Sequence, residues 1–182
     1  MSAGPPDPTR ALGLIRNARM ILIGSDLLLY FLNHDGHFSN LQRELFPIDD
    51  HSLELGRHDG TMYSIKTYGP LVKQLRANPT FNLEYLGIVL QSLLMNIGDE
   101  LARNRYFAKS PELEFFRHIR NALGHGNRFH FKGKEPVLPA TLRGRNLSRD
   151  LHGQQVFFQY MNIGDVFDLL DDLESQLVAN HQ

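Results

Sequence analysis

The sequence predicts an all-α fold with a small β-rich insertion before the last helix. Three observations carry this. Apolar residues recur at helical spacing through several long segments. Capping residues and Pro stand ahead of those segments, at Asn78-Pro79-Thr80, Ser110-Pro111 and Asn162. Between about residues 127 and 161 the pattern changes to short aromatic runs broken by Gly and Pro. At 182 residues the chain is long enough to bury a real core. One domain is expected over 9–182, after a disordered Gly/Pro-rich start at 1–8.

The first helix is expected from Thr9 to about Asn33, burying Leu12, Ile15, Ala18, Leu22, Leu29 and Leu32. Its second half is apolar almost all round, which implies burial in the core or in a subunit interface. The run Met20 to Leu32 is too short for a membrane span of about 20 residues and contains Asp26. His34-Asp35-Gly36-His37 ends the helix. Residues 34–60 read as irregular, with room for a short helix over Ser39–Phe46 before Pro47. This stretch holds His34, His37, His51 and His58 with Asp35, Asp49, Asp50 and Asp59. These are zinc and iron ligand types. Their spacing matches no ligand framework, so they read as polar loop residues, and no metal or cofactor is expected.

Tyr63, Ile65 and Thr67 alternate as in a strand, whereas Leu71, Val72 and Leu75 have helical spacing after Pro70, so a helix is expected from about Gly69. After the break at Asn78-Pro79-Thr80 a long helix is expected to about Phe107, with Phe81, Leu83, Leu86, Leu90, Leu93, Leu94, Ile97 and Leu101 as its core stripe. Next, Ser110 caps a helix with Pro111 at its first position and Glu112 in its first turn. Leu113, Phe116, Ile119, Ala122 and Leu123 line one face, and Gly124 and Gly126 end it. The insertion follows: Phe129-His130-Phe131, Leu142-Arg143-Gly144 and Gln155–Tyr160 read as two or three short strands, with a turn at Leu151–Gln154. The last helix starts at Asn162, with Asp165 near the positive end of its dipole. Its acids suit an exposed face that neutralises part of any basic patch nearby.

The chain has no Cys, which fits a reducing compartment and excludes disulfide frameworks and thiolate metal sites. The start lacks a basic region followed by an apolar core, so a cytoplasmic protein without a membrane anchor is expected. Net charge is only −1, yet it is unevenly distributed. Residues 103–149 hold eleven Lys and Arg against three acids, a balance of +8, while the rest holds eight against seventeen, a balance of −9. Such a local positive field suits a polyanion.

The basic stretch brackets Arg120-Asn121-Ala122-Leu123-Gly124-His125. A helix ending here delivers Arg120 and Asn121 in its last turn and His125 at or just past its end. Guanidinium matches phosphate, the Asn amide can orient a neighbour, and imidazole transfers protons near neutrality. His118 and Arg117 lie further back on the same helix, His118 suited to a structural hydrogen bond and Arg117 to an electrostatic role. Arg117, Arg128, Lys132, Lys134, Arg143 and Arg145 are the candidate nucleic-acid contacts. Phe129, Phe131 and Phe157 suit either base stacking or pinning the insertion to the helices.

Arg120-Asn121-x-x-x-His125 resembles the R-[polar]-x-x-x-H signature of HEPN domains. That resemblance implies an up-and-down helical bundle, commonly a homodimer with a composite active site. It also implies a metal-independent endoribonuclease of the toxin–antitoxin or anti-phage defence kind, with an antitoxin or defence-system partner. A non-catalytic HEPN-like module that binds RNA or protein is the alternative. In such an enzyme the ribose 2′-OH attacks the phosphate and leaves a 2′,3′-cyclic phosphate, which requires a base, an acid and cations. The resemblance implies His125 for proton transfer, Arg120 for the phosphoryl charge and Asn121 for orientation. HEPN toxins silenced by a nucleotidyltransferase often carry a Tyr two residues after the motif His. Here that residue is Asn127, which sets this form of control apart from the expected activity.

Overall fold

The structure is a computed structural model describing residues 7–33, 53–65, 77–78, 80–107 and 109–179. Among these the fold is mainly helical: α1 (Thr9–Asn33), α2 (Phe81–Arg103), α3 (Pro111–Gly124) and α4 (Ile163–Ala179), with two small hairpins. The chain divides into two compact units, one of residues 1–22 with 87–182, the other of residues 23–86. The helix expected over 39–46, the one expected from Gly69, and most of the His/Asp-rich loop lie outside the described residues.

The first unit holds the main core. Ile15, Ala18 and Leu22 of α1 join Leu90, Leu94 and Leu101 of α2, Leu113, Phe116 and Ile119 of α3, and Val166, Leu170 and Leu173 of α4. Parts of all four anticipated stripes therefore converge; Leu83 is exposed, and the side chain of Leu32 lies outside the described residues. The helix ends explain themselves chemically. Ser110 Oγ accepts the Leu113 N–H at 3.3 Å, and Asp165 Oδ2 reaches back to accept the Asn162 N–H at 2.8 Å. α2 stops at Arg103 rather than near Phe107. Arg105 takes a left-handed φ of 57°, and the N–H groups of Arg105 and Tyr106 return to Ala102 and Leu101. This is a Schellman closure, which Arg105 makes without the Gly that usually signals it.

The insertion departs from its sequence reading. Its strand pair is Thr141–Leu142 with Arg145–Asn146, forming a two-residue hairpin. Phe129–Phe131 and Gln155–Tyr160 are not strands; isolated bridges link Arg128 to Gln155 and Phe157 to Met161. Phe129, Phe131 and Phe157 are buried, so they pin the insertion onto the core. Burying three aromatic rings secures this segment without a continuous ladder. The turn expected at 151–154 is present, following a 3₁₀ turn at Arg149–Leu151.

In the second unit, Leu53–Gly56 pairs antiparallel with Met62–Ile65, Leu53 opposite Ile65 and Gly56 opposite Met62. The alternation at Tyr63 and Ile65 signals the second of these strands. The first corrects the expectation of irregular chain through residue 60. Asp59 Oδ1 accepts from both the N–H and hydroxyl of Thr61, which shapes the connecting turn. The apolar second half of α1 does not enter a core throughout: Met20, Ile21, Ile23, Leu27 and Tyr30 are exposed. Among the described residues no helix is long and apolar enough to cross a membrane.

Candidate active site

The site grows from the end of α3. Its buried face fixes the helix, and Arg117, Arg120 and Asn121 are left half-buried on the other side. The cap is His125, whose N–H returns to the Ala122 carbonyl at 3.0 Å. Gly126 and Asn127 then adopt φ of 71° and 63°, and the Arg128 N–H also returns to Ala122 at 3.1 Å. Asn tolerates this left-handed region better than most residues. Asn127 has a second task. Its side-chain oxygen accepts the Phe157 N–H at 2.9 Å, and its carbonyl accepts the Val156 N–H at 2.9 Å. It thus ties the helix end to the insertion.

This closure turns the chain back across the helix end. Arg117, Arg120, Asn121, His125, His130, Lys132 and Glu135 line one cleft of about 270 Å³. The three motif residues are therefore brought together, along with two candidate RNA contacts, Arg117 and Lys132. The lining itself holds three cationic side chains and one carboxylate.

Arg120 is placed by two neighbours on α2. Asp99 Oδ1 accepts from its Nε at 3.1 Å and its Nη2 at 2.5 Å. Gly98 makes room for its stem: a Cβ there would overlap Arg120 Cγ and lie 3.0 Å from Arg120 Cβ. Nη1 of Arg120 is 3.5 Å from Asn121 Oδ1. Helical Gly98 therefore has a packing reason.

Arg117 is committed differently. It donates to both oxygens of buried Glu114, at 2.8 and 2.9 Å, and to Glu135 Oε1 at 3.1 Å. Hydrogen bonding to Glu114 raises the Arg117 pKa above its already high ordinary value. Glu135 Oε2 accepts the Lys132 N–H at 2.9 Å, and this bond, helped by Arg117, holds the Glu135 carboxyl below the usual Glu value. The series Glu114–Arg117–Glu135–Lys132 thus anchors the basic loop over the cleft. His118 is buried beneath it, Nε2 lying 3.0 Å from Arg117 Nη2 and 3.3 Å from Glu114 Oε1. Burial, then the adjacent Arg117 charge, lowers its pKa, so the ring is neutral at pH 7. His118 belongs to the support of the cleft rather than to its lining.

The remaining candidates lie elsewhere. Arg128 donates to the Gly153 carbonyl at 2.9 Å, and exposed Lys134 is outside the cleft lining. Arg143 pairs with Asp168 and Asp172 of α4, and Arg145 pairs with Asp165. Those ion pairs raise both Arg pKa values and lower that of Asp165. The acids of α4 thus neutralise this part of the basic stretch.

Sequence reasoning missed His130. Its ring lies against that of His125, centroids 4.2 Å apart and planes inclined by 31°. A signal was present: alternation in Phe129-His130-Phe131 buries two phenyl rings and turns the imidazole between them outward. Asp99 and Glu135 were also missed, and nothing in their local pattern marks them. Among the described residues no group of three or more His, Asp or Glu side chains is placed to hold a metal ion. No family model, curated protein or solved structure matches the chain.

Proposed function

We propose that this cleft cleaves RNA as a metal-independent endoribonuclease of HEPN-like type, in an up-and-down helical bundle. The observation that carries this reading is the convergence of Arg120, Asn121, His125 and Lys132 on a single polar cleft. A phosphodiester seated there meets guanidinium and ammonium charge beside a proton-transferring imidazole. Arg120, held by Asp99, stabilises the charge that develops on the phosphoryl oxygens. Asn121 orients the phosphate or ring, and Lys132 draws in the polyanion. His125 transfers a proton between the ribose and the leaving oxygen. DNA has no 2′-OH, so the activity is restricted to RNA. The matching biological role is a growth-arresting toxin or defence effector, with RNA as substrate and an antitoxin or defence protein as partner.

The test is to incubate the purified protein with mixed RNA in EDTA. Fragments should end in a 2′,3′-cyclic phosphate and a 5′-hydroxyl. His125→Ala should slow cleavage by about 10²–10⁴-fold, the range for a general acid or base. Cleavage that survives His125→Ala at the parent rate refutes the site. RNA that is bound but never cut refutes the enzyme and favours a binding module.

A further inference from the structure

We infer that His130 is the second proton-transfer residue, paired with His125 inside one chain. This deepens the ribonuclease reading and rests on it. The motif supplies one imidazole, whereas transesterification needs a base and an acid. The fold supplies both. His125 is held at the α3 cap, and His130 is brought to it by the reversal through Gly126 and Asn127. Their ring centroids are 4.2 Å apart, and both rings line the same cleft.

The position of His130 is built rather than incidental. Buried Phe129 and Phe131 fix the backbone on either side of it. His152 closes the far side, its ring centroid 5.4 Å from that of His130. His152 is itself held, because its Nδ1 accepts the Phe131 N–H at 3.1 Å. The charged groups sharing the cleft with the pair are Arg117, Arg120, Lys132 and Glu135.

The step balances without a co-reactant. One imidazole accepts the 2′-OH proton as the 2′-oxygen bonds to phosphorus. The bond from phosphorus to the 5′-oxygen breaks, and the other imidazolium gives that oxygen its proton. The products are a cyclic phosphate and a free 5′-hydroxyl, and exchange with water resets the two rings. The second imidazole therefore need not come from another copy of the chain.

The test compares the parent, His125→Gln and His130→Gln on two substrates. On ordinary RNA each variant should lose about 100-fold or more in kcat. The bell-shaped pH profile of the parent should keep only one limb in each variant. The second substrate carries sulfur in place of the bridging 5′-oxygen, and a thiolate leaves without a proton. One variant of the two, the one lacking the acid, should recover most of its rate on it. That recovery also shows that the variant is folded. Mixing the two variants should restore nothing, because the pair lies in one chain.

If the parent cuts RNA and His130→Gln stays within threefold of it with the bell intact, the pairing is overturned and the ribonuclease reading stands. The pairing is likewise overturned if the sulfur substrate rescues neither variant, or if mixing restores activity. A parent that cuts no RNA overturns the ribonuclease reading and the pairing with it.

Discussion

Replacing Arg117 with Met should cost far more than an exposed ion pair is worth. Glu114 is 3 % exposed, and its carboxylate is gripped on both oxygens by Arg117. At an effective dielectric of 20, unit charges about 4 Å apart attract by about 4 kcal/mol. Removing one member of a buried pair costs about 3–5 kcal/mol, because the other charge is stranded. The Arg117 side chain is 25 % exposed, so the lower end of that range, about 3 kcal/mol, applies. For a chain of this size that lowers Tm by about 6–12 °C. The assay is denaturant and thermal unfolding of four proteins: parent, Arg117→Met, Glu114→Gln and the double variant. Removing the stranded charge should return at least half the loss, giving a coupling of about 2 kcal/mol. Cleavage should fall as well, since Glu135 loses the guanidinium that steadies it beneath the Lys132 N–H. A single variant within 1 kcal/mol of the parent, or a coupling near zero, refutes this account of the buried network.

Helix propensity alone favours Gly98→Ala by about 1 kcal/mol. Overlap with the Arg120 stem should reverse that sign, giving a loss of about 1–3 kcal/mol together with slower cleavage. A more stable protein with unchanged activity in melting and RNA assays refutes the packing argument. His118 should make stability fall in mild acid. The unfolded chain takes up its proton near pH 6.5, whereas the folded ring resists because burial and Arg117 oppose the charge. The unfolded state then binds more protons, so stability drops as pH falls, by as much as about 1 kcal/mol between pH 6.5 and 5.5. His118→Phe should flatten that slope, and urea titrations showing an unchanged slope exclude the ring as its cause.

The helices were legible because each satisfies several local rules together. α3 has a Ser cap, Pro at its first position and an apolar stripe, and its observed range is Pro111–Gly124. Arg120, Asn121 and His125 could be placed relative to one another because a single helix end fixes all three. The end of α2 was missed because Arg105 takes a left-handed conformation that composition does not announce. The insertion was misjudged for a related reason. Phe129-His130-Phe131 alternates, with both Phe rings buried, but alternation requires only an extended chain and not a paired strand. Asn127, which stands where some HEPN toxins carry Tyr, has a structural role that no motif reveals: it joins the helix cap to Val156 and Phe157.

Charge shows most clearly what linear reading omits. The +8 of residues 103–149 counts every guanidinium equally. In the fold, the acids of α4 return to Arg143 and Arg145, while Glu114 and Glu135 occupy Arg117. Among the described residues, Arg120 and Lys132 are the other cations that line the cleft with the two imidazoles, and half-exposed Asp99 is a carboxylate partner of Arg120. A guanidinium meeting phosphate oxygens in a partly dry cleft gains shorter, charge-assisted bonds. Pairing therefore sets Arg117, Arg143 and Arg145 against carboxylates, a distinction that the linear charge count cannot make within the segment that carries His125 and His130.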